Sequence, residues 1–186
     1  TVPEPADAFL IAVPTPFKEQ HQPDMAWVEA AARSVAAVLK AGDLVILEST
    51  SPVGATEQMA ALLAAERPDL TFPQQVGETA DIRIAYCPER VLPGKDMVQL
   101  FKNDRVIGGM SAASSQRACD LYNLVLEGEC VVTNSRPADM CNLTDISSLA
   151  VHIAFANALS RTCAAQPIIV WALFRLANPQ SPANSL

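Results

Sequence analysis

Hydrophobic positions along the first 134 residues follow two alternating periods. Short apolar runs occur at Ala8 to Val13, in "DLVILES", in "DIRIAY", in "DRVIGG" and in "GECVVTN", each of strand length and bounded by polar, Pro or Gly residues. Between them the apolar spacing turns helical. Val28, Ala31, Ala32, Val35, Val38 and Leu39 repeat on one face, with Lys40 in the last turn and Gly42 as a C-cap. Ala55 to Glu66 is rich in Ala, Leu, Met and Glu and stops before Pro68, while Ala118, Leu121, Tyr122 and Val125 mark a further helix. Strands alternating with helices predict a doubly wound α/β sheet with parallel strands and crossover helices. From Pro137 the pattern changes. "ADMCNLTDISSLAVHIAFANALSRTCAAQ" has neither Pro nor Gly and predicts a helix of around thirty residues, followed after Pro167 by the shorter "IIVWALFRLAN".

Composition narrows the function classes. A net charge of −7 leaves no basic footprint for nucleic acid or for an anionic membrane surface. No run reaches the roughly 18 apolar residues of a membrane span, so a soluble chain is expected. The five cysteines, Cys87, Cys119, Cys130, Cys141 and Cys163, show neither a Cys-x-x-Cys pair nor zinc spacing. Buried thiols in a reducing cytoplasm are the expectation, and no metal site is predicted. Of the two histidines, His152 lies in an apolar helical run and reads as a hydrogen-bonded core residue.

In a parallel sheet, ligands bind beyond the carboxyl ends of the strands. Three polar tips gather there: "VPTP" with Thr15, "ESTSPVG" with Ser49, Thr50 and Ser51, and "YCPER" with Glu89 and Arg90. The Pro-Val-Gly turn opens a helix whose free N–H groups favour an anion or another acceptor. A plain alternative is that Thr50 or Ser51 caps that helix. Glu89 has its own alternative as an exposed carboxylate paired with Arg90. Arg105 could contact a phosphate or be a solvated edge residue, and "IGGM" could let backbone approach a ligand. No Gly-x-Gly-x-x-Gly occurs in the 186 residues.

Taken in order, "LIAVPTPF", "LVILESTSPVGATE", "IAYCPERVLPG", "NDRVIGG", "GECVVTNSR" and "IAFANALS" resemble the UDP-glucose/GDP-mannose dehydrogenase family over nearly the whole chain. The resemblance implies part of a Rossmann-like domain: residues 1–134 would be the C-terminal half of an NAD-binding domain, and 135–186 a central helical segment used for homodimerisation and part of the active site. It implies NAD as cofactor and oxidation of the C6 alcohol of a UDP-sugar to a carboxylate. UDP-N-acetyl-D-mannosamine is the expected substrate, with UDP-glucose or GDP-mannose as sibling alternatives. By position, Thr15, Ser49 and Thr50 would contact the cofactor, with Thr50 also near the reacting carbon. Glu89 would handle protons there, and Arg90, Val91 and Leu92 would line the sugar site.

The long helix departs from the family pattern. Where the family reads Lys-Leu-Thr-Glu-Asn, this chain reads "NLTDI", so Asn142 and Ile146 replace a lysine that stabilises oxyanion charge and an asparagine one turn on. The family's cysteine nucleophile lies in a Gly-Gly-His-Cys segment that these residues do not contain, and Cys87 reads as a packed thiol. Two expectations stand side by side: an oxidoreductase domain inactive by itself, or a non-catalytic interaction module of the same family. With the first half of the sheet absent, the strand at Ala8 to Val13 is expected to be an uncovered edge.

Overall fold

The computed structural model describes residues 3–89 and 100–177. They divide into two compact units, one through Asn142 and one from Leu143 onward. The first holds five strands, β1 (Ala8–Ile11), β2 (Leu44–Leu47), β3 (Arg83–Tyr86), β4 (Arg105–Gly109) and β5 (Cys130–Asn134), in the spatial order β1-β2-β3-β4-β5. Its helices are α1 (Ala26–Ala36), α2 (Ala55–Glu66), the short α3 (Pro73–Val76) and α4 (Ala112–Tyr122). A 31-residue helix, α5 (Ser135–Ala165), begins in the first unit and continues into the second, which also contains α6 (Val170–Ala177).

β2 explains why the sheet is wound on both sides. All four of its residues are buried, as expected of a strand covered on both faces. Val45 and Leu47 join one core with Val28, Ala32, Met59, Leu63 and Ile84, beneath α1 and α2. Leu44 and Ile46 point the other way, into a second core with Ala85, Cys87, Ile107, Ala118, Cys119 and Tyr122, under α4. The period of two thus divides one apolar run between two helical layers.

Strand direction corrects the sequence expectation. β1, β2 and β3 are parallel, as expected. β4 is antiparallel to β3, paired only through Ala85↔Gly109 and Tyr86↔Gly108, and β5 runs parallel to β4. The crossovers from β1 to β2 and from β2 to β3 carry α1 and α2; between β3 and β4, no comparable helix occurs among the described residues. A parallel neighbour needs such a crossover. The register also carries Arg105 beyond the carboxyl end of β3. β1 pairs only with β2 among the described residues, and Leu10 on it is 48% exposed, so it forms the sheet edge.

The two glycines of "IGGM" serve the chain's own packing. A Cβ on Gly108 would lie 2.6 Å from both Ala138 Cβ and the Asn134 carbonyl oxygen, and one on Gly109 would lie 2.2 Å from Ser115 Oγ. The close approach anticipated for a ligand is taken by α5 and α4. Gly108→Ala is expected to lower the unfolding free energy in urea by about 2 kcal/mol, because overpacking would force the start of α5 off β4. Unchanged stability would show that this seating is loose.

The second unit is simpler. Ile168 N–H closes the turn after α5 onto the Cys163 carbonyl at 3.0 Å, and Trp171 and Phe174 meet edge to face at 5.8 Å on α6. His152 is exposed, contrary to the core position expected for it, because its neighbours Val151 and Ile153 on α5 are exposed too. No helix among the described residues is long and apolar enough to cross a membrane.

Candidate active site

The site is built where β1, β2 and β3 end. Immediately after β2, Ser49 turns inward and is 6% exposed. Its hydroxyl accepts the Val13 N–H at 2.8 Å and lies 2.8 Å from the Val13 carbonyl, to which it donates. That bond holds the chain beyond β1 against β2 and so fixes Thr15. Thr15 in turn donates its hydroxyl to the Thr50 carbonyl at 2.6 Å. Ser51 is buried and donates to the Ser49 carbonyl at 2.8 Å. Of the three hydroxyls in this tip, two are spent on backbone and Thr50 alone is exposed.

Behind Thr50 stands a buried pair. Asn142 is 2% exposed and donates its side-chain amide to the Tyr86 hydroxyl at 3.1 Å and to Thr50 Oγ1 at 3.5 Å. Tyr86 ends β3 and is fully buried; burial pushes its phenol up to about 12, partly offset by the Asn142 and Ser51 hydrogen bonds. It is a neutral, fixed acceptor at physiological pH.

The helix after the tip starts differently from the sequence expectation. Neither Thr50 nor Ser51 caps α2. Its N-cap is Gly54 in the left-handed region at φ 95°, with no side-chain cap of its own. The Gly54 N–H donates instead to Asp139 of α5 at 2.9 Å, and the Thr56 hydroxyl donates to the other carboxylate oxygen at 3.4 Å. Asp139 is fully buried, and burial pushes its carboxyl up to about 6 against the lowering effect of the Gly54 bond.

One face of α5 makes all these contacts. Ser135 and Arg136 donate to Glu57 at 3.2 and 3.1 Å, Asp139 accepts from Gly54 and Thr56, and Asn142 donates to Thr50 and Tyr86. Steps of three to four residues place them on a single helical stripe. Asp139 therefore sets the seating of α5 that brings Asn142 to Thr50. Asp139 is not among the residues expected from the sequence; its place one turn before Asn142 marks the helix face it shares but not its partner.

Two other helix starts also meet a carboxylate. Glu78 accepts the Ala112 and Ala113 N–H groups of α4 at 2.8 and 2.7 Å, which holds its carboxyl below the usual range. Asp24 accepts the Ala26 N–H of α1 at 3.0 Å. At the α2 start, where free N–H groups were anticipated, the Gly54 N–H is taken by the chain's own Asp139.

Glu89 is exposed, next to the buried Pro88. Arg90, Val91 and Leu92 lie outside the described residues. Arg105 is 6% exposed rather than solvated, with its guanidinium 5.6 Å from the Tyr122 ring, because the register of β4 carries it over α4. The Tyr122 hydroxyl donates to Glu48. Cys87 is fully buried and its thiol is pushed up to about 12 by that burial, as a packed thiol should be. Ile146 is 47% exposed on α5.

Residues 1–126 match the model of the UDP-glucose/GDP-mannose dehydrogenase family, NAD binding domain. The chain belongs to this family. A UDP-N-acetyl-D-mannosamine dehydrogenase of Salmonella typhi is 69% identical over all 186 residues, and an NDP-N-acetyl-D-galactosaminuronic acid dehydrogenase of Ralstonia nicotianae is 57% identical over the same span. The chain spans 44% of the length of each. Among solved structures, the UDP-D-ManNAc dehydrogenase of Pyrococcus horikoshii matches with a TM-score of 0.86 at 35% identity, covering 96% of this chain and 41% of that one. The UDP-N-acetyl-mannosamine dehydrogenase Cap5O of Staphylococcus aureus matches at 0.82 and 33% identity, covering 98% and 43%.

Proposed function

We propose that this chain is part of an NAD-dependent dehydrogenase that oxidises the C6 alcohol of UDP-N-acetyl-D-mannosamine to the carboxylate. The observation that carries the reading is the 69% identity, over its whole length, with a UDP-N-acetyl-D-mannosamine dehydrogenase; the 57% identity with an N-acetylgalactosaminuronic acid enzyme keeps the substrate within N-acetylated nucleotide sugars. NAD, when bound, supplies the hydride acceptor. Thr50, exposed at the end of β2, is the hydroxyl proposed to face the reacting carbon and the nicotinamide, and Thr15 the one that touches the cofactor beside it. Ser49, spent on Val13, is proposed to act by holding Thr15 in place. Glu89 is proposed to take the proton from the sugar alcohol or orient water, with the Arg90 to Leu92 backbone along the sugar.

The described residues fit NAD in part. Thr15 and Thr50 suit its nicotinamide end, whereas carboxylates, which repel a pyrophosphate, stand at the starts of α1, α2 and α4 as Asp24, Asp139 and Glu78. Asn142 supplies two N–H donors and no charge where the family resemblance places a lysine, and it directs one of them at Tyr86. Loss of one preorganised oxyanion donor typically costs about 100- to 1,000-fold in rate.

This neutral position is what favours the second reading, an interaction module that keeps the fold. Supporting a homodimer through α5 is its exposed apolar surface: Ile146, Leu149 and Ile153 along one stripe, with Val151 and Phe155 beside it, each at least 46% exposed. The cytoplasm is the proposed location, consistent with five free thiols and with NAD and nucleotide sugars as reactants.

The test uses the purified chain. Added NAD is expected to shift the amide resonances of Thr15 and Thr50, with no NADH formed from UDP-N-acetyl-D-mannosamine, and light scattering is expected to give twice the 19.8 kDa chain mass. Resonances of Thr15 and Thr50 that ignore NAD would overturn the cofactor assignment, NADH formation would overturn the role given to Asn142, and a monomer mass would overturn the dimer.

A further inference from the structure

The face of the sheet away from α1 and α2 carries a polar group at the end of the same strand that leads to Thr50. The period of two that sends Leu44 and Ile46 toward α4 continues to Glu48, the half-buried residue between β2 and Ser49. Its carboxyl accepts the Tyr122 hydroxyl across 74 positions of sequence. The proposed reaction makes no use of this pair.

Tyr122 has little freedom. It ends α4, is 6% exposed and shares a core with Cys87, Ile107 and Ala118. Its carbonyl accepts the Val125 and Leu126 N–H groups at 3.0 and 2.9 Å, which closes the turn after the helix. The guanidinium of Arg105, itself buried, stands over the ring, 5.6 Å from its centre. Burial pushes the phenol well above its usual range, so it keeps its proton and donates.

Glu48 is where the chain leaves the sheet. Its N–H and that of Ser49 both donate to the Ile11 carbonyl, at 2.9 and 3.3 Å, so the two residues turn together around the end of β1. Thr50 follows, with its carbonyl taken by Thr15 and its hydroxyl 3.5 Å from the Asn142 amide. That last distance is at the limit of a hydrogen bond, so Asn142 alone does not fix Thr50. The phenol–carboxyl bond two residues earlier is of the stronger kind and clamps the strand end from the opposite face.

We propose that Tyr122 and Glu48 are positioning residues for the dehydrogenase site: their bond sets the direction of the tip after β2 and thereby the place of Thr50. The proposal rests on the reading of Thr50 as the hydroxyl that faces the nicotinamide. Neither residue touches the reacting atoms. A contact that served α4 packing alone would leave Thr50 in place when lost.

The test uses the 186-residue chain and its Tyr122→Phe, Glu48→Ala and doubly substituted forms. Nuclear Overhauser effects follow the Thr50–Asn142 contact, and amide shifts give the NAD affinity. Each single substitution is expected to weaken the Thr50–Asn142 contact while the Asn142–Tyr86 contact persists, and to raise the dissociation constant for NAD about tenfold. The double substitution is expected to add nothing to either single one, since both remove the same bond. A Thr50–Asn142 contact unchanged in both single variants, or effects that sum in the double, would overturn the proposal. If Thr50 ignores NAD in the unsubstituted chain, the cofactor reading fails by itself, and the Thr50–Asn142 contact still decides the positioning role.

Discussion

Asp139→Asn is expected to raise the unfolding free energy by about 3 kcal/mol at pH 8 and to leave it nearly unchanged at pH 4. The reason lies in what the buried carboxyl costs when charged. Its folded pKa, about 6, stands above the ordinary 3.8 because burial penalises the anion more than the Gly54 and Thr56 hydrogen bonds favour it. A raised carboxyl pKa means that the folded state holds its proton more tightly. The corresponding stability is fully present below pH 3.8 and is lost as the pH rises through about 6. Asparagine keeps an oxygen for the Gly54 N–H and can direct its N–H toward Thr56 Oγ1, while removing the charge. Denaturant titrations of both proteins across that range provide the check. Parallel stability profiles, or a loss of stability at pH 8 in the variant, would show that Asp139 is not charged and desolvated at the helix start.

That residue also marks where sequence reasoning ran out. α2 was legible to its ends, since Gly54 and Pro68 bracket an uninterrupted run of strong helix formers. The strands were legible because each apolar run is short and turn-bounded, although every one is shorter in the structure than its run. α1 was drawn too long: Val38 and Leu39 continue its apolar pattern through a turn after Ala36, and Leu39 is buried from that turn.

What depended on partners distant in the chain was not legible. Asp139 meets Gly54 across 85 positions, and nothing local marks it as the counterpart of the α2 start. The same holds for Arg105, whose burial follows from the offset of an antiparallel strand that periodicity does not orient. The tip "STS" was correctly picked out as polar, yet which hydroxyl faces outward was decided by the Val13 backbone, which takes Ser49 inward. Asn142 was identified as a departure from the family pattern by motif alone. Its burial against Tyr86 shows how a neutral residue is accommodated there, since Tyr86 supplies an uncharged acceptor.

Our proposal is that this scaffold carries one wall of a nucleotide-sugar dehydrogenase site and that position 142 limits its chemistry. It is tested most directly by exchanging these 186 residues for the matching segment of the Salmonella typhi relative and measuring NADH formation from UDP-N-acetyl-D-mannosamine. The exchanged protein is expected to turn over at least about 100-fold more slowly than the relative, with Asn142→Lys together with Ile146→Asn recovering most of the loss. Turnover at the relative's own rate with Asn142 and Ile146 in place would contradict the account.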